Sequence, residues 1–242
     1  MATRKPKKRR TPIARTEAIR RLDAMIGPIV RDVQFGLAVE AALEAGNDIV
    51  VKPPARPVYG AGTYNTISHS AALTLALVLS RLFDPGSRWR HADEKDTNSI
   101  PILLHYLAQQ RCRGLLGNRA RTWVTGMPHM ADSQQAACLQ HIDRAIDAYK
   151  TLNLSPKGRL AKRRLREFRN KILAHNLRTP METGHPRFGE LFLLMKAAAQ
   201  IVGSADFAIR GSNRDLGEYA ENRRGEADEF WTHALTGLMQ ER

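Results

Sequence analysis

The sequence predicts an all-α protein, and three observations carry that prediction. Apolar residues recur at three- and four-residue steps over long segments, as on a helix that buries one face. The longest apolar block, Ala71–Leu79, reads as part of a helix apolar on most sides, as a central bundle helix is. Two further segments open on Ser99-Ile100-Pro101 and Ser155-Pro156, where Ser caps a helix and Pro is tolerated in its first turn. The 242 residues are enough for one substantial core.

Residues 1–11 form a basic, Pro-containing tail with nothing to bury and read as disordered. From 12 to 242 a single helical domain is expected. Ile19, Leu22, Ile26, Ile29, Val33 and Leu37 give a first helix from Ile13 to about Ala45, with Gly27-Pro28 as a point for a bend or split. Residues 46–63 read as an irregular insertion containing Pro53, Pro54 and Pro57; Ile49-Val50-Val51 is a candidate short strand. A second helix spans about Tyr64–Phe83, followed by a polar loop, Asp84–Asn98. Ser99 caps a third helix to about Arg111, and Gly114–Pro128 shows no definite pattern. A fourth covers about Asp132–Thr151. The fifth opens at Ser155-Pro156, is strongly basic, and ends near His175–Leu177, ahead of Pro180. A sixth spans about Phe188–Val202 and a seventh about Leu216–Met239. About seven helices are expected, with no internal repeat.

The net charge is +14 and is concentrated. Arg4, Lys5, Lys7, Lys8, Arg9 and Arg10 carry +6. Lys157, Arg159, Lys162, Arg163, Arg164, Arg166, Arg169 and Lys171, set against Glu167, carry +7. Charge gathered this way points to a polyanion partner such as RNA, with the acidic face of another protein as the alternative. No apolar run reaches the ~18 residues needed to span a bilayer, and the N-terminus has no signal-peptide apolar region, so a cytoplasmic location without membrane contact is expected. Cys112 and Cys138 form no disulfide framework and read as reduced thiols. Cys138-x-x-His141 lacks a second close pair, so no metal is expected, and no Walker loop, GxSxG elbow or HExxH points to a cofactor or a metallohydrolase. Phe and Trp total ten with no aromatic run, so no platform for stacking bases is visible.

A helical projection of the basic segment separates its faces. Ala161, Leu165, Phe168 and Ile172 fall together on one side and form a core-facing stripe. Arg163, Arg166 and Asn170 fall on the outer side. Arg169 and His175 flank the stripe from opposite sides. An Arg can hold a phosphate in a fork and a His can move protons at neutral pH, so this pair is the candidate chemistry of the chain. On an ideal helix the two stand about 120° apart, so one helix assembles a site only with a distorted end or with a second copy across a two-fold axis. The plainer reading pairs Arg169 with a carboxylate and leaves His175 hydrogen-bonded at a helix C-terminus. Arg81 and Asp84, three apart at the end of the second helix, read as a helix-terminating ion pair, with a supporting role beside Arg169 and His175 as the alternative.

Arg169-Asn170, then four residues, then His175, late in an all-α chain, resembles the motif of the HEPN superfamily of helical RNases. Leu79-Ser80-Arg81-Leu82-Phe83-Asp84 and Asp96-Thr97-Asn98-Ser99-Ile100-Pro101 make the set similar to the AbiU-like abortive-infection branch, over about Tyr64–Asn176. The resemblance implies a helical bundle that dimerises and a metal-independent endoribonuclease acting in phage defence or as a toxin, with RNA and a possible antitoxin or defence protein as partners. It gives Arg169 the scissile phosphate, His175 the general acid or base, and Asn170 the orientation of phosphate or imidazole; Lys157, Arg159, Lys162, Arg163, Arg164, Arg166 and Lys171 form the nucleic-acid face. Two other classes fit the composition: a non-catalytic nucleic-acid-binding module, and a protein-interaction subunit whose basic surface meets an acidic partner.

Overall fold

The computed structural model describes residues 13–51, 60–86, 91–173 and 184–236. Among them stand eight α-helices and no strand. The basic tail, residues 1–11, lies outside the described residues.

Helix α1 (Arg15–Val51) buries Leu22, Ile26, Ile29, Val33 and Leu37, the stripe that the spacing predicts. Pro28 lies inside it without ending it. Ile49–Val51 complete this helix and form no strand. The reason is docking: α1 packs along its length on α2 (Ala61–Leu82), α7 (Phe188–Arg210) and α8 (Leu216–Thr236). Continuing the helix satisfies backbone groups that a lone strand leaves open. The irregular insertion is therefore shorter than residues 46–63, since helix covers both of its ends; residues 52–59 lie outside the described residues.

The third expected helix is two helices, which raises the count from seven to eight. The chain leaves helical conformation at Gln109 (φ −77°, ψ 124°), between α3 (Ile100–Leu107) and α4 (Gln110–Ala120). Arg111 holds the break: its guanidinium donates to Gln109 Oε1 at 2.6 Å and to the carbonyl of Ile13. The turn lets α4 lie against α1 and α5 (Ala131–Leu154). Residues 114–128, without a definite pattern in the sequence, hold most of α4 and a turn leading to a short 3-10 segment, Pro128–Met130.

Helix α7 is the centre of the bundle and packs on α5, α1, α6 (Pro156–Phe168) and α2. It is long and apolar enough to cross a membrane by length and composition, and half of that window is buried within the bundle. A core helix passes the same test. Cys138 and His141 of α5 both turn to α7: the thiol donates to the Ala208 carbonyl at 3.3 Å, and the imidazole stacks on Phe207 at 4.1 Å.

Glu40 sits half-buried on α1 with no ion pair among the described residues. Burial first, and the nearby Glu44 second, push its carboxyl up to about 8. A carboxyl raised in the fold binds its proton more tightly there than in the unfolded chain. Its cost is absent below the unfolded value of about 4.5 and accumulates as pH rises towards 8. Glu40→Gln is expected to stabilise the protein more at pH 8 than at pH 5, read as the shift in urea midpoint at each pH.

The junction of α5 and α6 sets the basic helix in place. Ser155 caps α6 by accepting from the Gly158 N–H at 2.9 Å, and Pro156 occupies the first turn. A Cβ at Gly158 would stand 2.2 Å from the Leu152 carbonyl oxygen, so only glycine lets the two helix ends approach this closely. Gly158→Ala is expected to cost about 1–3 kcal/mol, measured by urea denaturation.

Candidate functional site at the end of the basic helix

Helix α6 is held by a narrow stripe. Ala161, Leu165 and Phe168 are buried and Ile172 packs on the core, as the projection predicts. Arg163, Arg166 and Asn170 are exposed, and Arg169 lies at the border. The α-helical ladder then stops. The Arg169 N–H is shared between the Leu165 and Arg166 carbonyls, and Arg169–Leu173 form a π-helical turn that packs on α2. Such turns break the 3.6-residue register and concentrate at functional positions. The regular projection therefore holds only up to Arg169. His175 lies outside the described residues, so the Arg169–His175 relation stays an expectation.

Two contacts orient Arg169. Its Nε donates to Asn170 Oδ1 at 3.1 Å, and its Nη1 pairs with Asp84 Oδ2 at 3.0 Å. Asn170, expected on the outer face, thus folds back onto its neighbour's guanidinium. Asp84 is itself fixed: its Oδ1 accepts from the Gly86 N–H at 2.8 Å, closing the Asp84-Pro85-Gly86 turn. Gly86 has φ +68°, which a side chain disfavours, and the Lys95 side chain covers it. The Lys95 ammonium donates to the Pro85 carbonyl at 2.5 Å, tying this turn to the segment ahead of α3.

The expected Arg81–Asp84 pair is not formed. Arg81 Nη2 pairs with Asp32 Oδ1 of α1 at 2.8 Å, and Asp84 turns to Arg169. The cause is geometric: α2 ends at Leu82, so Asp84 lies beyond the last turn and reaches the π-helical segment, while Arg81 still projects from the helix towards α1. Of these two supporting candidates, Asp84 touches Arg169, and Arg81 ties α2 to α1.

Ser80, Phe83, Asp84, Tyr149, Lys162, Arg166, Arg169 and Asn170 line one cavity of about 570 Å³ between α2, α5 and α6. The Lys162 ammonium sits 5.2 Å from the centre of the Tyr149 ring and donates to Asn153 Oδ1. Burial, and then Arg166, lower its pKa below the ordinary lysine value. Burial also raises the Tyr149 phenol. The Ser80 hydroxyl, on a residue only 7% exposed, has no hydrogen-bond partner among the described residues. Ser80, Phe83, Tyr149 and Asn153 are not among the candidate site residues read from the sequence: Ser80 and Phe83 stand in the Leu79–Asp84 segment with no role given to them, and no local pattern marks Tyr149 or Asn153.

The exposed basic face of α6 is smaller than the charge count implies. Arg164 is paired with Glu190 at 2.6 Å, both side chains only 17% exposed. Glu190 also accepts from the Arg187 N–H at 2.9 Å at the start of α7, so Arg164 ties α6 to α7. Lys171 pairs with Glu167 at 3.0 Å. Arg159 donates to the Leu154 carbonyl at 2.8 Å yet remains exposed. Lys157, Arg159, Arg163 and Arg166 are the exposed cations of α6. Replacing these four with Gln is expected to make the slope of log affinity against log salt shallower by about 3 for single-stranded RNA, measured by fluorescence anisotropy. An unchanged slope would place the RNA elsewhere.

Among the described residues no group of three or more His, Cys, Asp or Glu has the placement to hold a metal ion. No curated protein and no solved structure matches the chain. A family model does: HEPN_AbiU2, AbiU2, matches residues 51–230. The match runs wider than Tyr64–Asn176, taking in α2 through most of α8, and includes the Asp84 turn, the basic helix and the Arg169-Asn170 turn. A helical bundle whose second and sixth helices meet through Asp84 and Arg169 is thus accompanied by a match over more than half the chain, and this chain belongs to the AbiU2 family of HEPN proteins.

Proposed function

We propose that the protein is a metal-independent endoribonuclease acting in abortive infection or as a toxin. The observation that carries this reading is Arg169, held by Asp84 and Asn170 at the mouth of a basic cavity, six residues before a histidine. A guanidinium has five N–H donors, so two internal contacts leave capacity for a phosphate.

In this reading the scissile phosphate sits against Arg169, which stabilises the charge developing on its non-bridging oxygens. The 2′-oxygen attacks phosphorus as a base takes its proton, the P–O5′ bond breaks, and the 5′-oxygen takes up a proton. The products are a 2′,3′-cyclic phosphate and a 5′-hydroxyl. His175 serves as the acid or base, for which an ordinary imidazole pKa of ~6.5 is suited. Asp84 and Asn170 keep the guanidinium in one orientation, so little reorganisation accompanies the reaction. A homodimer setting two such motifs in one cleft belongs to the same proposal, as does an antitoxin or defence protein that restrains it.

The test is RNA cleavage in EDTA by wild type, Arg169→Ala and His175→Ala. Wild type is expected to leave cyclic-phosphate ends, and each variant to lose about 10²-fold or more in rate. No cleavage by wild type, or equal cleavage by all three, overturns the proposal. Salt-dependent RNA binding that survives His175→Ala without cleavage supports the second reading, a non-catalytic RNA-binding module. That reading rests on the exposed quartet Lys157, Arg159, Arg163 and Arg166 alone.

A further inference from the structure

The cavity beside Arg169 has more in it than phosphate binding needs. A phosphate is satisfied by the cations of its lining. The same lining adds two aromatic rings, Phe83 and Tyr149, and the hydroxyl of Ser80, which has no hydrogen-bond partner among the described residues. Ser80 stands in the last turn of α2, where a serine hydroxyl commonly bonds the carbonyl four residues back. Thr66, Ser70 and Thr74 of the same helix do so, at 2.9–3.0 Å. Ser80 does not, although it is more than nine-tenths buried and lines the cavity wall. A buried hydroxyl without a partner is unfavourable unless a water or ligand completes it. At about 570 Å³ the space falls within the range of small-molecule sites and exceeds what a phosphate alone fills.

We propose that this cavity is a nucleoside subsite, taking the base and ribose of the nucleotide whose phosphate rests on Arg169 and Arg166. Phe83 and Tyr149 supply ring surface for the base. The Ser80 hydroxyl, able to donate and accept, hydrogen-bonds the nucleoside. Lys162, Arg166 and Arg169 outnumber the single carboxylate of Asp84, which suits an anionic ligand with one flat apolar end. The inference rests on the ribonuclease reading for its phosphate position, and it adds that the enzyme selects its cleavage site through one bound nucleoside.

The structure also separates this role from a structural one. Removing an unpartnered buried hydroxyl does not weaken the free protein, so Ser80→Ala is expected to leave the melting temperature unchanged or raise it. The same change removes a hydrogen bond to the ligand. Stability and affinity should therefore move in different directions.

Calorimetric titration of the full chain with inorganic phosphate, with nucleoside 3′-monophosphates and with nucleoside 5′-monophosphates tests the proposal. The two nucleotide series distinguish which side of the phosphate the bound nucleoside occupies. At least one nucleoside monophosphate is expected to bind ten times or more tightly than inorganic phosphate. Ser80→Ala should weaken that nucleotide by about threefold to tenfold, and Tyr149→Leu by about tenfold or more, with phosphate affinity unchanged in both. Nucleotides that bind no better than phosphate, or variants that weaken phosphate and nucleotide alike, overturn the subsite. The two proposals fail separately. Selective nucleotide binding without cleavage of any RNA leaves the subsite standing and removes the ribonuclease. Cleavage lost in Arg169→Ala, with no nucleoside preference and no effect of Ser80→Ala, does the reverse.

Discussion

The ion pair between Asp84 and Arg169 joins the end of α2 to the end of α6, and the candidate site depends on that junction. Helix α6 has little else to hold it there. Its apolar stripe is three buried residues and the flanking Ile172, and most of its other positions are cationic. Repulsion along such a helix favours fraying, and a fraying end does not present a guanidinium in a fixed direction. Asp84 offsets this at one end of the helix, Glu190 through Arg164 nearer its middle, and the Ser155 cap at the start. Apart from Lys162, which turns to Asn153 and Tyr149, the basic residues fall into two groups. Arg164, Arg169 and Lys171 are tied to carboxylates and set the geometry. Lys157, Arg159, Arg163 and Arg166 remain exposed and supply the field.

The π-helical turn belongs to the same junction. A continuous α-helix advances each residue by a fixed rotation, and Arg169 would flank the straight stripe to which Phe168 and Ile172 belong. The wider turn starts at Arg169 itself, where one N–H is shared by two carbonyls. Phe168 is fixed in the core on one side and Arg169 is drawn to Asp84 on the other. Widening the turn accommodates both without removing either from its partner. A distorted helix end is the condition under which one copy alone can bring an Arg and a His of this spacing together, the alternative being a second copy across a two-fold axis.

Much of this is legible in the sequence, and what is not has a common cause. The stripe Ala161, Leu165, Phe168 and Ile172 follows from helical spacing, because burial of one face depends only on local order. The start of α6 follows from Ser155-Pro156 for the same reason. Asp84 and Arg169 are both visible as candidates, but their pairing spans 85 positions and is decided by how α2 meets α6. Local spacing suggests Arg81 as the partner of Asp84, and tertiary packing sends Arg81 to Asp32. The break at Gln109 depends on Arg111 reaching Ile13, a contact across 98 positions. Ser80 and Phe83 stand in the Leu79–Asp84 segment, yet nothing local gives them a role, and Tyr149 belongs to no motif: a cavity wall built from three helices has no signature in any one of them.

A carboxylate beside the arginine proposed to hold a phosphate raises an apparent conflict, since Asp84 at 3.0 Å cancels much of the charge that would attract one. The division of labour on α6 resolves it. Long-range attraction comes from the exposed cations, whose field does not depend on Arg169, while Arg169 contributes direction at short range. Burial, and then Arg166, disfavour the charged form of Lys162, and an anion beside it favours that form. Under the proposed function Asp84 serves that arrangement, because an arginine already oriented has less to lose on binding a phosphate.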